Sequence, residues 1–341
     1  MRRAKWLALL LAMILMIFSA GCGSKSAEDI VGDLEDMLTE VESYSAVGTM
    51  TIQTGETPQE YQVEVWYKQP QYYRILLNNV QSQVTQIVLK NDDGVFVLDP
   101  ALNKSFRFKS DWPETQGQVY LFQSLAKSIV DDQERNFVEE DEGYLFEVKA
   151  NYQNQNLAEQ KVWLDSDLHP VKVEIFDPNK TQLVEMVFSD FEFGVEFEED
   201  AFDMERNMTG WDSSILPAMA EVDNGKSFGI IEPSYIPTGV AKQSTDIVTQ
   251  DDTKKVVIKY SGDYHYTLIE SRPEVKTASS APESAKTDLV DLGFSLGVLT
   301  EMSQTRSLSW NYDGVEFMLS GDLPAEEMVN VAQSVFAQPG K

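Results

Sequence analysis

The chain repeatedly alternates apolar and polar residues with a period of two, which restricts it to half-buried strands over much of its length. Tyr61, Val63, Val65 and Tyr67 alternate with Gln62, Glu64, Trp66 and Lys68. Further strand-like runs are Tyr73-Ile75-Leu77, Val95 to Leu98, Phe106-Phe108, Tyr144-Phe146-Val148, Val171-Val173-Ile175 and Gln182 to Phe188. Turn signals separate them: Asp93-Gly94, Asp99-Pro100, Asp165-Ser166-Asp167 and Asp177-Pro178-Asn179. Short strands joined by tight turns predict an antiparallel sheet, wet on one face and covered by helices on the other. Two stretches have helical spacing instead: Ile30, Val31, Leu34, Leu38 and Val41, then Tyr120, Leu121, Leu125 and Ile129. The pattern lapses from Arg206 to Pro237, placing a domain boundary near Trp211. Strands resume at Val256–Tyr260 and Tyr264-Tyr266-Leu268, and a Ser, Ala, Pro and Lys-rich loop spans Arg272–Lys286. A hairpin follows about Asp313-Gly314, and a helix over Pro324–Phe336 closes the chain.

The N-terminus sets the compartment. Arg2, Arg3 and Lys5 precede an apolar run from Leu7 to Phe18. That run would rise only about 18 Å as a helix, too short for a hydrocarbon core of about 30 Å. A charged start, a short apolar middle and the small residues Ser19-Ala20-Gly21 describe a secretory signal. Cys22 follows directly and is the sole cysteine. This arrangement resembles the lipobox of bacterial lipoproteins, with Ser19 where Leu is usual. The resemblance implies cleavage before Cys22, covalent diacylglycerol and acyl lipid on its thiol, and attachment to the outer face of the cell membrane. Two acyl chains suffice for stable anchoring. With Cys22 acylated, no thiol remains for a disulfide, so the fold must hold by burial. The expected organisation is a signal at 1–21, a tether at 22–28, a first domain at 29–212 and a small α+β domain at 213–341.

The net charge is −29, and removing the cations Arg2, Arg3 and Lys5 with the signal takes it to −32. Such a surface repels nucleic acid and anionic headgroups, and suits a basic protein partner or simple solubility.

Residues able to perform chemistry are sparse. With two histidines, His169 and His265, and no free thiol, a metal centre of imidazole or thiolate ligands lacks donors. Asp165, Asp167 and His169 could be drawn around a cation, but a hairpin turn explains them better. Ser124-Leu125-Ala126-Lys127 matches the Ser-x-x-Lys motif of penicillin-interacting enzymes, yet the companion Ser-Asp-Asn and Lys-Thr-Gly elements are absent. Gly293 to Gly297 is too isolated to cradle a nucleotide. With 56 acidic residues, a cluster such as Glu198-Glu199-Asp200 carries no catalytic signal. The expectation is a protein that is not an enzyme and needs no cofactor.

Three segments taken in order resemble the LolA/LolB-type lipoprotein-carrier family. They are Trp66-Tyr67-Lys68-Gln69-Pro70-Gln71-Tyr72-Tyr73-Arg74, then Asn91 through Gly94 to Asp99-Pro100, and Val162-Trp163-Leu164-Asp165 through His169-Pro170. Asp177-Pro178 and Phe188-Ser189-Asp190-Phe191 continue the series, so the likeness covers roughly Asp29 to Phe202. It implies a mainly β fold: an incomplete antiparallel β-barrel whose apolar concave face is covered by helices. Gln69 stands where the family often has Arg, and an anchored chain departs from a soluble carrier. The second half, from Pro233-Ser234-Tyr235-Ile236-Pro237-Thr238-Gly239 to Leu319-Ser320-Gly321, is similar to a small extracytoplasmic domain of Gram-positive spore formers. The combination looks like sporulation and germination lipoproteins of Bacillus and Clostridium relatives, which implies spore cortex modification through binding a peptidoglycan amidase. A second reading is a carrier of lipid or lipoprotein acyl chains, its cavity lined by Val63, Val65, Tyr67, Ile75, Leu77, Val95 and Val97. The same seven residues would equally serve as core against the two helices.

Overall fold

The computed structural model describes residues 25–53, 58–80, 85–100, 104–108, 118–152, 157–209, 229–250, 253–271, 286–292, 296–302, 305–312 and 315–335. The expected signal with Cys22, the expected boundary near Trp211, nearly all of the expected 272–286 loop, Gly293 and the expected turn at Asp313-Gly314 lie outside the described residues.

After helix α1 (Ala27–Glu40) come β1 (Ser43–Ile52), β2 (Gln59–Lys68), β3 (Tyr72–Asn79), β4 (Thr85–Asn91), β5 (Gly94–Asp99) and β6 (Lys104–Phe108). Helix α2 (Phe122–Asp131) leads into β7 (Asn136–Glu140), β8 (Gly143–Lys149), β9 (Glu159–Asp165), β10 (Pro170–Phe176) and β11 (Gln182–Phe193). These make one 11-stranded sheet in the order β6-β5-β4-β3-β2-β1-β11-β10-β9-β8-β7. Each half is a meander, and the halves meet where β1 pairs antiparallel with β11. Strands β6 and β7 remain edges, so the sheet is an incomplete antiparallel barrel.

The turns follow from side-chain chemistry. Asp177 Oδ1 accepts the backbone N–H of Asn179 at 2.9 Å and of Thr181 at 2.7 Å, holding the β10–β11 reversal. Gly94, at φ 133°, makes the β4–β5 turn in a conformation that side chains disfavour.

Two helices cover the inner face. A capping box starts α1: Ser26 Oγ accepts the Asp29 N–H at 3.2 Å, and Asp29 Oδ2 accepts the Ser26 N–H at 3.0 Å. Ile30 and Leu34 of α1 are fully buried, as are Phe122, Leu125, Ala126 and Ile129 of α2. The first turn of α2 has no cap of its own. Tyr44 of β1 supplies one: its hydroxyl accepts the Phe122 N–H at 3.3 Å and donates to Gln123 Oε1 at 2.9 Å. Farther along α2, Ser128 Oγ accepts from Gln160 Nε2 of β9 at 2.5 Å. The crossover helix is therefore tied to both halves of the sheet.

The outer face departs from the expectation of one wet side. Burial alternates along β2, but Ile87–Lys90 of β4 and Val95–Leu98 of β5 are buried on both faces. A segment beyond β11, ending in the short helix α3 (Met204–Thr209), seals this part. Phe197, Ala201, Phe202 and Met208 pack with Ile87, Leu89, Phe96, Leu98, Trp66, Tyr72 and Leu76 as a second small core. Arg74 reaches across to it, donating through Nε to Asn207 Oδ1 at 2.6 Å and pairing with Glu64 at 3.1 Å. Its guanidinium lies 4.2 Å from the Trp66 ring centroid.

The second part is a 7-stranded antiparallel sheet from β12 (Val240–Gln250), β13 (Thr253–Gly262), β14 (Tyr266–Ser271), β15 (Lys286–Asp291), β16 (Leu296–Met302), β17 (Thr305–Tyr312) and β18 (Val315–Gly321). Its order is β12-β13-β14-β18-β17-β16-β15. Helix α4 (Ala325–Gln333) buries Met328, Val331 and Ala332, giving the α+β character expected. Cross-strand ring pairs fix the register: Tyr260 stacks on Tyr266 at 4.5 Å, and Trp310 on Phe317 at 5.1 Å.

At the β1–β11 seam, a Cβ on Gly48 would lie 2.4 Å from the Val187 carbonyl oxygen and 3.1 Å from Phe188 Cα. Backbone cannot yield as a side-chain tip can. Gly48→Ala is therefore expected to destabilise the protein by about 1–3 kcal/mol through overpacking. Tyr44→Phe, which removes only the cap hydroxyl, should cost about 1 kcal/mol. Urea unfolding of both variants checks this, and an unchanged midpoint for Gly48→Ala contradicts the seam geometry.

Candidate functional site

The residues expected to line a cavity sit on the inner face of β2, β3 and β5. Val65, Ile75 and Val95 are 0% exposed, Val63 2%, Val97 5%, Tyr67 7% and Leu77 8%. All seven belong to one cluster with Ile30 and Leu34 of α1 and Leu125 and Ile129 of α2. Tyr44 sits at its centre, 5.2 Å from the ring centroids of both Tyr67 and Phe191 and 6.2 Å from Phe122. Burial drives the Tyr44 phenol well above its ordinary pKa and raises that of Tyr67. Nothing in the local sequence marks Tyr44 as this hub, because Gln123 and Phe122 lie 79 and 78 residues away.

The residues with possible chemistry are placed as structural groups. Asp165, Asp167 and His169 do converge, with one ligand atom of each within 4.8 Å of the others. The geometry is that of the turn before β10: Asp165 Oδ1 accepts the N–H groups of Asp167 and His169, both at 2.9 Å, and Oδ2 lies 2.9 Å from His169 Nδ1. The His169 ring stacks on Phe193 at 5.1 Å. His265 is 69% exposed, beside Asp322 at 3.6 Å. Ser124 Oγ accepts the Gln118 N–H at 2.9 Å, which engages it in the approach to α2. Arg206 pairs with Glu198 and Asp200. A groove of about 510 Å³ over β8 and β9 is lined by Glu134, Glu147, Lys149, Glu159, Lys161 and Lys180, among others. Each of its lysines is paired with a glutamate: Lys149 with Glu134, Lys161 with Glu147 at 2.6 Å, and Lys180 with Glu159.

Among the described residues, one carboxyl is strongly perturbed. Glu270 of β14 is 0% exposed, between Val256 and Phe317 in the register, and burial pushes its pKa up to about 7. Its Oε2 accepts the Ile231 N–H at 3.2 Å, while Oε1 is buried without a hydrogen-bond partner. Sequence periodicity places Glu270 on the inner face with Tyr266 and Leu268, which is the one signal that could have marked it.

This arrangement defines a class: a half-open antiparallel barrel with internal helices, joined to a second helix-covered sheet. Residues 2–202 match the family described as sporulation protein YdcC-like, and residues 230–335 match DUF4367, a domain of unknown function. Sporulation protein YdcC of Bacillus subtilis (strain 168) is 38% identical over 342 residues, covering 99% of both chains. The chain belongs to the YdcC-like family of sporulation proteins. Among solved structures, the MucA/MucB complex of Pseudomonas aeruginosa matches at 13% identity and a TM-score of 0.31, over 91% of this chain and 99% of that one. An outer membrane lipoprotein-sorting protein domain from Vibrio parahaemolyticus matches at 15% identity and a TM-score of 0.32, over 53% of this chain and 98% of that one. A chain from the complex of the CwlD amidase of Clostridioides difficile with the GerS lipoprotein matches at 13% identity and a TM-score of 0.27, over 52% of this chain and 98% of that one.

Glu270 makes stability depend on pH in a definite direction. Below its ordinary pKa of 4.5 the carboxyl is protonated in folded and unfolded chains alike. Between 4.5 and about 7 the unfolded chain ionises while the folded one keeps the proton, so stability falls as pH rises. The full loss is about 3 kcal/mol. Glu270→Gln should remove this slope from thermal unfolding measured between pH 4.5 and 8. An identical slope in wild type and variant contradicts it.

Proposed function

We propose that this chain is a lipid-anchored accessory protein on the outer face of the cell membrane, which binds a cell-wall enzyme during sporulation or germination and is not itself an enzyme. The observation that carries this reading is the engagement of its candidate chemical residues in structure: Asp165 and His169 in a turn, Ser124 at the start of a helix, and Glu270 inside a sheet core. Membership of a sporulation family supports the biological setting. The lipobox-like Ser19-Ala20-Gly21-Cys22 supports the anchor. The enzyme class proposed is a peptidoglycan amidase, because that is what the sporulation-lipoprotein resemblance implies. A carrier of acyl chains would need space beside Val65, Ile75 and Val95, whose complete burial favours binding through the outside of the fold instead.

Growth of sporulating cells with labelled palmitate should label the native protein and leave Cys22→Ala unlabelled. Affinity purification of the native protein should recover a cell-wall amidase, and deletion should slow germination. Equal, negligible label in both forms overturns the anchor. Recovery of no cell-wall enzyme, with germination unchanged, overturns the accessory role.

A further inference from the structure

The outer face of the large sheet has two unlike halves. Over β2–β5 it is sealed by the chain's own Phe197–Thr209 segment. Over β7–β11 and β1, the described residues place nothing comparable, yet an apolar row crosses the face. Register puts Val138 opposite Leu145, Leu145 opposite Trp163, Trp163 opposite Lys172, Lys172 opposite Val187, and Val187 opposite Thr49. Residues directly opposite share a face, so this is one row across six strands, about 24 Å long at the usual strand spacing. Val171, the extra residue of the bulge between Pro170 and Lys172, is exposed beside Lys172, and Val47 extends the row along β1 two residues from Thr49. Val47 and Val171 are 43% exposed, Val138 42% and Val187 41%. Lys172 does not interrupt the row: its ammonium is held by Glu174 and Glu185, at 2.5 and 3.4 Å, and lies 4.8 Å from the Trp163 ring centroid.

The margins hold more carboxylates than ammonium groups. Next to the row run Glu147, Glu174 and Glu185, of which Glu147 is paired with Lys161 at 2.6 Å and the other two share Lys172, so the excess of acid lies at the ends of the row. The Val138 end continues into Glu139-Glu140-Asp141-Glu142, and Val47 lies opposite Asp190. A second copy of the same face would bring like charges together, and an anionic headgroup surface would be repelled in the same way. An apolar strip with carboxylate margins suits a protein surface with an apolar centre and a basic rim.

We infer that the row Val47–Val187–Val171–Trp163–Val138, in which the four valines are exposed and Trp163 is half-buried over the buried Leu145, is the docking surface for a basic-rimmed protein partner. The inference rests on the accessory role proposed above and assigns a place to it. Burying the row removes aliphatic side chains and one face of Trp163 from water, while the glutamates steer and orient the partner.

The test uses the full chain, purified in detergent, and the purified peptidoglycan amidase of the same sporulating cells, titrated by calorimetry. Val171→Glu/Val187→Glu alters two side chains that are already substantially exposed, and its thermal unfolding should stay close to wild type. The expected result is a Kd at least about tenfold weaker for this variant. Ile247→Glu, at a 55% exposed position on the second sheet, should bind as wild type does. Glu139→Lys/Glu140→Lys, at exposed positions beside the Val138 end, should weaken binding most at low salt, because charge complementarity is screened as salt rises. Wild-type affinity in Val171→Glu/Val187→Glu overturns the assignment of this face while leaving the accessory role intact. Absence of binding by the wild-type chain overturns both.

Discussion

The 11-stranded sheet depends on the pairing of β1 with β11, which joins two meanders that would otherwise be separate small sheets. Tyr44 and Gly48 lie along this seam, four residues apart on the inner face of β1. Gly48 permits the close approach to the Val187 backbone, and Tyr44 reaches inward to cap α2. Without that hydroxyl, α2 would begin inside the core with no side-chain cap, since Leu121 offers none. The sheet thus positions the helix, and the helix, through Ser128 and Gln160, holds the second meander against the first.

A sheet with two faces has two chances to interact, and here they are used differently. The inner face, including the seven strand residues that could have lined a cavity, is packed against aromatic and aliphatic residues of both helices. The outer face is half closed by the chain itself and half left with valines among carboxylates. With the Asp165–His169 group bound into a turn, the outer surface is the part of the large sheet most available to another molecule. For a family placed in sporulation, that favours a reading in which recognition is external.

Much of this fold was legible because local rules and tertiary structure agree. The alternation from Tyr61 to Tyr67 becomes β2, Asp177 makes the turn its position implied, and the two apolar helical stripes become α1 and α2. The wet-face expectation failed on β4 and β5, where Ile87-Val88-Leu89 and Val95-Phe96-Val97-Leu98 are continuous apolar runs rather than alternating ones. Those runs were the available signal for burial on both faces. Helix α3 went unread because six residues provide less than two full turns of periodicity. The Tyr44 cap, the Arg74–Asn207 link and the outer valine row depend on residues distant in sequence being brought together by register, which no local pattern encodes.

The central claim is that the half-barrel interior is core and that recognition takes place outside it. Native mass spectrometry of the protein produced without its first 22 residues tests this most directly. The mass of the bare chain, unchanged after incubation with phospholipid or acylated peptide, is the predicted result. A stoichiometric lipid that copurifies, and is lost when Val65 or Ile75 is replaced by a larger side chain, would contradict it.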